Sequence, residues 1–191
     1  MDDPQSPLIL ASQSPRRKSL MHEYGYSFLV HPPSDTAEGG MCSGETPPEL
    51  VVRLAKQKAE DVAKKYEHAV IIGCDTVAEC MGTVLGKPVD IDDARRMLTM
   101  LRGKDHRVLS GLCIWKRPSD EVTLKLDITT LHMDEVTDRQ IEAYLATDKW
   151  QGKAGAFGYQ DGWDWLHVIQ GSETNVIGLP MEVLADALSR I

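Results

Sequence analysis

The chain has 191 residues, of which 42% are hydrophobic, and a formal net charge of -8. This composition is typical of one globular domain over residues 1–191, and it excludes both a disordered chain and a membrane-spanning one, because no apolar run approaches the ~18 residues that cross a bilayer. The acidity argues against binding to nucleic acid polymers, and the cysteines, none of which forms a C-x-x-C pair, favour a reduced, cytoplasmic protein.

Hydrophobic periodicity and capping residues predict strands that alternate with helices. In chain order, the predicted elements are a strand over 8–11, a helix from Ser14 to about Tyr24, a strand over 28–30, a helix over 49–66, a strand over 69–74, a helix over 91–102, strands over 107–116 and 122–133, a helix over 137–146, a strand over 165–169 and a helix from Pro180 to about Arg190. Strands interleaved with helices in this way predict an α/β fold with a mixed sheet.

Three segments lie outside this regular pattern or modify it. Residues 31–48 are rich in proline, glycine, serine and threonine and predict a long loop of the kind that is often functional. The acidic start, MDDPQSP, has no apolar segment and indicates a solvated tail rather than a secretory signal. The strand over 122–133 alternates, with Leu124, Leu126 and Ile128 on one side, which predicts that one of its sides faces solvent.

Residues 12–17 (SQSPRR) place two arginines at the start of the first predicted helix. A helix N-terminus presents free N–H groups and a partial positive charge, which attract anions. Ser14 is the expected N-cap, and the planar guanidinium groups of Arg16 and Arg17 suit bidentate binding of phosphate. The pattern indicates an anion site, with an ordinary solvated first helical turn as the alternative.

Asp75 follows the apolar run AVIIGC, which places it at the carboxyl end of a buried strand. Ligand crevices of open α/β sheets form at such ends, so Asp75 is a candidate Mg²⁺ ligand or general base. The alternative is an aspartate that caps a turn. The scattered histidines and cysteines argue against a zinc site.

Lysines in two other segments add positive charge. Lys58 lies four residues after Leu54 on the apolar side of its predicted helix, where a lysine needs a partner or a route to solvent. Lys56 fits the solvated side of the same helix. Lys87, between a glycine and a proline, is placed to neutralise phosphate as a point charge.

Residues 150–160 (WQGKAGAFGYQ) form a glycine-rich loop that lets a ligand approach the backbone closely. Lys153 adds charge, and Gln160 offers both a donor and an acceptor, as recognition of a nucleobase requires. The loop matches neither a Walker A motif nor a Rossmann fingerprint. Basic groups from several segments, with one strand-end aspartate, therefore predict a site for a polyphosphate with a divalent metal.

Five segments sharpen this prediction: LASQSPRR, GCDTV, GKP, GKAGAFGYQ and GSETNVIGLP. Their order and spacing resemble those of the Maf (septum formation) family of nucleoside triphosphate pyrophosphatases, from about Leu8 to Leu188. The resemblance implies a fold similar to that of the inosine triphosphate pyrophosphatases, with a mixed central sheet, flanking helices and a cleft between two lobes. It also implies hydrolysis of a nucleoside triphosphate to the monophosphate and pyrophosphate, a divalent cation (Mg²⁺ or Mn²⁺) and a homodimer.

The resemblance assigns Asp75 as the proton acceptor and aligns Lys58 and Lys87 with the family's lysines. We therefore predict Asp75, Lys58 and Lys87 as catalytic residues, with Asp75 also as metal ligand, in a water attack on the α-phosphorus. The predicted substrate-binding residues are Ser14, Arg16, Arg17, Thr76, Lys153 and Gln160.

Three of these positions track the choice of base in the family. Arg16, Thr76 and Gln160 resemble the branch that acts on dTTP and UTP, while Cys74 and Tyr159 depart from its usual residues. Two alternatives stay open. One is a pyrophosphatase for 7-methyl-GTP or another modified nucleotide, and the other is a regulator of septation that binds nucleotides without cleaving them.

Overall fold

The computed structural model describes residues 6–37 and 39–191. Most of the acidic start, and Glu38 within the predicted loop, lie outside the described residues. The elements, in chain order, are β1 (Leu8–Ala11), α1 (Pro15–Glu23), β2 (Leu29–Val30), α2 (Pro47–Ala63), β3 (Ala69–Cys80), β4 (Thr83–Leu85), α3 (Ile91–Leu101), β5 (Lys104–Arg117), β6 (Glu121–Met133), α4 (Asp138–Leu145), β7 (Leu166–Gln170), α5 (Glu173–Ile177) and α6 (Met181–Leu188).

The strands form a mixed sheet with the order β2-β1-β3-β5-β6-β7, and β4 pairs with β3. β1 is parallel to β2 and β3, whereas the remaining pairs are antiparallel. The predicted mixed α/β sheet is confirmed. Of the helices in the described part of the chain, none is long and apolar enough to cross a membrane.

The capping residues define where the helices begin. The side chains of Ser14, Asp90 and Thr137 each accept a hydrogen bond from a backbone N–H in the first turn of α1, α3 and α4. This satisfies donors that a helix N-terminus would otherwise leave unpaired. The predicted starts of these three helices are therefore confirmed, with their physical cause.

One edge of β3 is divided between two short strands. β1 pairs with residues 70–73, and β4 pairs with residues 78–80 of the same edge. Between them, no described strand pairs with residues 74–77 on this side. Asp75 was predicted at the end of a strand, and that placement is wrong, because β3 continues to Cys80 and Asp75 lies in its middle. The strand that ends here is the parallel neighbour β1, and its end opens the crevice.

Helices cover the two faces of the sheet unequally. α2 packs on one face against β1, β3 and β5, while α1 and α6 pack on the opposite face. α3 and α4 pack with β7 around the far ends of β3, β5 and β6, where they form a second core. Each core forms one of the two lobes. Between the lobes lies the interval in the β3 edge, which is the stretch of residues 74–77 that neither β1 nor β4 pairs with.

Two glycines allow α2 to pack directly on the sheet backbone. A Cβ added at Gly73 would lie 2.2 Å from the carbonyl oxygen of Ala55, and one at Gly111 would lie 2.1 Å from that of Val51. Gly111 is the β5 partner of Asp75. The close packing of α2 therefore determines the distance between Asp75 and Lys58, which lies one helical turn beyond Leu54.

Substitution Gly111→Ala is expected to destabilise the protein by at least about 1–3 kcal/mol, because the atom it would strike belongs to a helix backbone and cannot rotate away. Urea-induced unfolding measures the change. The matched control is Gly40→Ala, whose Cβ would meet nothing within 4 Å and which should stay within about 0.5 kcal/mol. Equal unfolding midpoints for the two variants would contradict the close packing of α2.

Candidate active site

A cleft of about 420 Å³ lies beside the interval in the β3 edge. Its walls come from the turn between β1 and α1, from α2, from the middle of β3, from the segment after β4 and from the glycine-rich loop. The structure brings all the sequence-predicted site residues together there: Ser14, Arg16, Arg17, Lys58, Asp75, Thr76, Lys87, Lys153 and Gln160.

Asp75 and Lys58 form an ion pair in the cleft. The Nζ of Lys58 lies 2.7 Å from Oδ1 of Asp75, and the two side chains are 8% and 13% exposed. Alternate residues of β3 face α2, so Asp75 points toward the helix face that carries Lys58. The partner that a lysine on the apolar side of α2 requires is thus Asp75, and the turn-capping alternative for Asp75 is wrong because it lies within a strand.

Arg17 connects three parts of the fold through its guanidinium group. Nε donates to the carbonyl of Gly178 at 2.7 Å, one terminal nitrogen donates to Ser12 Oγ at 3.2 Å, and the other donates to Thr76 Oγ1 at 3.1 Å. Ser14, the N-cap, accepts from the backbone N–H of Arg17 at 3.4 Å. The guanidinium plane is therefore fixed, and its remaining N–H groups are available to an anion in the cleft.

Thr76 points to the face of the sheet opposite Asp75, because neighbouring residues of a strand alternate. Its hydroxyl lies 2.8 Å from Ser110 Oγ and 3.2 Å from the carbonyl oxygen of Gly178, in addition to the contact with Arg17. A hydroxyl has one proton and two lone pairs. These contacts engage the Thr76 hydroxyl fully, so its structural effect is to hold Arg17 in place.

Arg16 joins α1 to the glycine-rich loop. A terminal nitrogen of Arg16 donates to the carbonyl of Gly152 at 2.9 Å. Burial lowers the pKa of Arg16, and the neighbouring charge of Arg17 lowers it further. Because an arginine starts from a pKa far above neutrality, Arg16 still carries its charge at pH 7. It therefore places positive charge where the two lobes meet.

Lys153 lines the cleft, but its charge is compensated within the protein. Its Nζ lies 2.6 and 2.7 Å from the two carboxylate oxygens of Asp161, and both side chains are below 10% exposed. The hydroxyl of Tyr144 donates to the same carboxylate at 3.1 Å. Burial lowers the pKa of Lys153. The pair stabilises the glycine-rich loop, and sequence reasoning missed Asp161, whose position eight residues after Lys153 gives no regular pattern.

Lys87 and Gln160 are exposed side chains on the rim of the cleft. Lys87 follows β4, and Gln160 lies in a short 3-10 turn at the end of the glycine-rich loop. Neither position is buried, so both side chains can turn toward a ligand. The residues that sequence reasoning did not find are those that hold the predicted ones in place: Ser12, Ser110, Asp161 and the carbonyl of Gly178.

The cleft is electropositive on an acidic protein. Among the described residues that line it, five side chains are basic and two, Asp35 and Asp75, are acidic. The net charge of the whole chain is -8. Because local charge governs the potential inside a cleft, this arrangement favours a small, strongly anionic ligand and disfavours a long polyanion lying along the surface.

The acidic side chains of the cleft determine which metal ion it could hold. Over the part of the chain that the structure describes, no group of three histidine, cysteine, aspartate or glutamate residues is arranged to hold a metal ion. Mg²⁺, however, is usually bound by one or two carboxylates together with water and substrate phosphates. The largely buried carboxylate of Asp75, among cations, fits an ion that arrives with a phosphate ligand, and this donor set does not fit zinc.

The chain is similar to known proteins along nearly its whole length. Residues 7–191 match the family model described as Maf-like protein. A dTTP/UTP pyrophosphatase of Rhodopirellula baltica is 50% identical over 187 residues, which cover 97% of this chain and 82% of the relative. A second dTTP/UTP pyrophosphatase, of Geotalea uraniireducens, is 42% identical over 188 residues and covers 98% of this chain and 96% of the relative.

The fold also has a counterpart among solved structures. A HAM1 protein from Coxiella burnetii superposes with a TM-score of 0.53 at 12% sequence identity, covering 97% of this chain and 100% of that chain. At this identity the likeness concerns the fold alone. It confirms the predicted architecture of a mixed sheet with flanking helices and a central cleft.

Proposed function

The chain belongs to the Maf family, and from this membership and the chemistry of the cleft we propose that it hydrolyses dTTP and UTP to the monophosphate and pyrophosphate. The observation that carries the proposal is the Lys58–Asp75 pair, a largely buried carboxylate in a cleft where five basic side chains outnumber two acidic ones. The names of the relatives support the same substrates.

The triphosphate would bind across the interval in the β3 edge. The N-terminus of α1 and the fixed guanidinium of Arg17 offer N–H donors on one side, and Lys58 and Lys87 offer ammonium groups on the other. As the bond between the α-phosphorus and the bridging oxygen breaks, negative charge accumulates on the departing pyrophosphate. Donors that are already in place stabilise that charge without reorganisation, which is the main source of catalysis in such sites.

Asp75 would act on the attacking water. In this step the water oxygen bonds to the α-phosphorus, its proton passes to a base, and pyrophosphate leaves with the electron pair of the broken bond. Asp75 is the acidic side chain at the bottom of the cleft, and Lys58 orients its carboxylate through Oδ1. The second oxygen, Oδ2, is then the one that can accept the proton or contact a metal.

Mg²⁺ or Mn²⁺ would be held by Asp75 together with the phosphates of the substrate, and when bound it supplies charge that stabilises the phosphoryl oxygens. Addition of EDTA is therefore expected to lower turnover by at least about 10²-fold, and excess Mg²⁺ should restore it. Pyrophosphate release measured with and without chelator checks this. Full activity in EDTA, with metal-free buffers, would contradict a metal requirement.

Choice of base would depend on Gln160 more than on Thr76. The amide of Gln160 offers a donor and an acceptor at the rim, which suits the O4 and N3–H edge of a uracil or thymine base. The Thr76 hydroxyl is engaged by Ser110, Gly178 and Arg17. We therefore assign Thr76 to positioning Arg17, and Gln160 to contact with the base.

A nucleotide panel tests the proposed function. The panel comprises dTTP, UTP, dCTP, GTP and 7-methyl-GTP, with products separated by chromatography, and hydrolysis in ¹⁸O-labelled water shows which phosphorus is attacked. The expected result is label in the monophosphate, with dTTP and UTP as the preferred substrates. Preference for 7-methyl-GTP would favour a pyrophosphatase for modified nucleotides. Binding of nucleotide without hydrolysis would favour a regulator of septation.

The proposed function also involves the domain organisation, the cellular location and the oligomeric state of the chain. We propose that residues 1–191 act as one domain, as a cytoplasmic homodimer that needs neither a nucleic acid polymer nor a membrane. Support comes from the family model, which matches residues 7–191, and from the acidic exterior around a basic cleft. Sedimentation of the purified protein measures its oligomeric state.

A further inference from the structure

Tyr159 lies next to Gln160, but the proposed function gives it no role. Among the described residues that line the cleft are Gly158 and Gln160 on either side of it, but not Tyr159 itself. Its ring packs against the second core, and its hydroxyl donates to Oε1 of Glu173 at 2.8 Å. A side chain that supports a ligand-contacting neighbour can control specificity without touching the ligand.

The hydrogen bond between Tyr159 and Glu173 joins two segments that meet only in the fold. Tyr159 begins the 3-10 turn Tyr159–Asp161, and Glu173 is the first residue of α5. A hydroxyl that donates to a carboxylate forms a charge-assisted hydrogen bond, which is stronger than one between neutral groups. The same bond raises the pKa of Tyr159, so the phenol keeps its proton and remains a donor at neutral pH.

Helix α5 is a fixed support for Glu173. Asn175, two residues further along the helix, is fully buried. Its amide nitrogen donates to the carbonyl of Val108 at 3.2 Å and to Oγ1 of Thr129 at 3.0 Å. These two bonds attach α5 to β5 and to β6. The carboxylate that accepts from Tyr159 therefore lies on a helix whose position is set by the sheet.

The end of the same helix holds the arginine of the cleft. Gly178 follows α5 directly, and its carbonyl accepts a hydrogen bond from Nε of Arg17 at 2.7 Å. One end of α5 thus contacts the turn that carries Gln160, and the other end orients the guanidinium of Arg17. The helix has only five residues. It therefore relates the position of the Gln160 side chain to that of the phosphate-binding arginine over a short distance.

A second set of contacts holds the other side of Gln160. The carboxylate of Asp161 accepts from Nζ of Lys153 at 2.6 and 2.7 Å, and from the hydroxyl of Tyr144 in α4 at 3.1 Å. The residue before Gln160 is thus attached to α5, and the residue after it is attached to α4. With both neighbours held, the Gln160 side chain reaches the cleft from a fixed stretch of backbone.

Discrimination between pyrimidine bases requires an amide that is held in this way. A glutamine amide has an acceptor oxygen and a donor nitrogen. Uracil and thymine present an acceptor at O4 and a donor at N3, whereas cytosine presents a donor at N4 and an acceptor at N3. Rotation of the amide by 180° exchanges its two groups, so an amide that moves freely matches either kind of base. A fixed backbone limits the conformers that reach the base.

We propose that Tyr159 is a positioning residue for base choice, which acts by attaching the turn that carries Gln160 to Glu173 of α5. This inference rests on the proposed function, in which Gln160 contacts a uracil or thymine base. Loss of the Tyr159 hydroxyl releases one side of Gln160, while the bonds of Asp161 stay in place. The expected consequence is a weaker preference for dTTP over dCTP, because the groups that bind the triphosphate are not altered.

The ratio of kcat/KM for dTTP to kcat/KM for dCTP measures this preference, and it does not depend on the fraction of enzyme that is folded. Tyr159→Phe removes only the hydroxyl and should lower the ratio at least about five-fold. Glu173→Ala removes the acceptor and should lower the ratio equally. The double variant should be no lower than either single one, because both changes remove the same bond. Glu173→Gln keeps an oxygen that can accept and should retain most of the preference.

Tyr66→Phe is the matched control. Tyr66 is also half-buried and its hydroxyl also has a hydrogen-bond partner, His31 at 3.0 Å, but Tyr66 is not among the described residues that line the cleft. This variant should keep the ratio of the unaltered chain.

Three results would overturn the positioning role and leave the proposed function intact. They are an unchanged ratio in Tyr159→Phe, an equal fall of the ratio in Tyr66→Phe, and additive effects of Tyr159→Phe and Glu173→Ala in the double variant. Equal kcat/KM values for dTTP and dCTP in the unaltered chain would instead refute the proposed choice of base, and the positioning role with it.

Discussion

Asp75→Asn is expected to reduce kcat for dTTP at least about 10²–10³-fold while the protein stays folded. Asparagine has nearly the same volume as aspartate and keeps an oxygen that can accept the hydrogen bond from Lys58 at the position of Oδ1. It has neither a negative charge to bind a metal ion nor a basic oxygen to accept a proton from water. Steady-state pyrophosphate release, together with circular dichroism, measures both parts of this expectation.

The control for Asp75→Asn lies on the same strand. Glu79 is four residues further along β3, faces the same side, and pairs with Arg107 at 2.7 Å outside the cleft. Glu79→Gln is the same acid-to-amide change at a buried glutamate whose partner, Arg107, is exposed, and it should affect stability more than turnover. Near-normal activity of Asp75→Asn would refute the assigned role. An equal loss of activity in Glu79→Gln would mean that any broken ion pair on β3 impairs the enzyme.

The parts of the site that could be predicted are those that depend on chemistry local in the chain. Ser14 before Pro15 marks a helix start, and two arginines at that start indicate an anion site, because helix N-termini bind anions wherever they occur. Similarly, the position of Lys58 on the apolar face of its predicted helix indicated that its ammonium group needs a partner or a route to solvent. The partner itself, Asp75, comes from a different element, and only the packing of α2 on Gly73 and Gly111 brings the two charges together.

The parts that could not be predicted depend on which strands are neighbours. The apolar run AVIIGC is interrupted after Cys74 by Asp75 and Thr76. β3 nevertheless continues to Cys80, because β4 and β5 supply backbone partners for these later residues. β4 is three residues long and α5 is five, and neither is long enough to show a period. The Asp161 carboxylate likewise has no local signature, because a spacing of eight residues from Lys153 fits no regular period, and the Gly178 carbonyl has none because its partner Arg17 is distant in the chain.

The structure gives Thr76 a different role from the one that the resemblance implied, although Thr76 does line the predicted cleft. By resemblance it is a position that tracks the choice of base, and a threonine hydroxyl beside a pyrimidine is chemically reasonable. In the structure this hydroxyl links Ser110 of β5 to Arg17 of α1. A change at residue 76 would therefore disturb the position of Arg17, so the orientation of this guanidinium is what the Thr76 hydroxyl controls.

Arg17→Lys is accordingly expected to lower kcat/KM at least about 10²-fold although it preserves the charge. The planar fork of Arg17 contacts Gly178, Ser12 and Thr76 at once, and a lysine ammonium has a single centre that cannot reach all three and also face the phosphates. Loss of the contacts to Gly178 should also lower the melting temperature modestly. Steady-state kinetics with dTTP, with kcat and KM determined separately, measures the effect.

Arg107→Lys is the matched control, because Arg107 is also an arginine held by a hydrogen-bonded partner, Glu79, but lies outside the cleft. It should leave kcat/KM unchanged. If Arg17→Lys retained full activity, the guanidinium geometry would be irrelevant and positive charge alone would suffice at this position. If both variants lost activity equally, the loss would reflect general destabilisation. A loss confined to Arg17→Lys, with dTTP and UTP affected alike, is the result expected when a fixed guanidinium binds the triphosphate rather than the base.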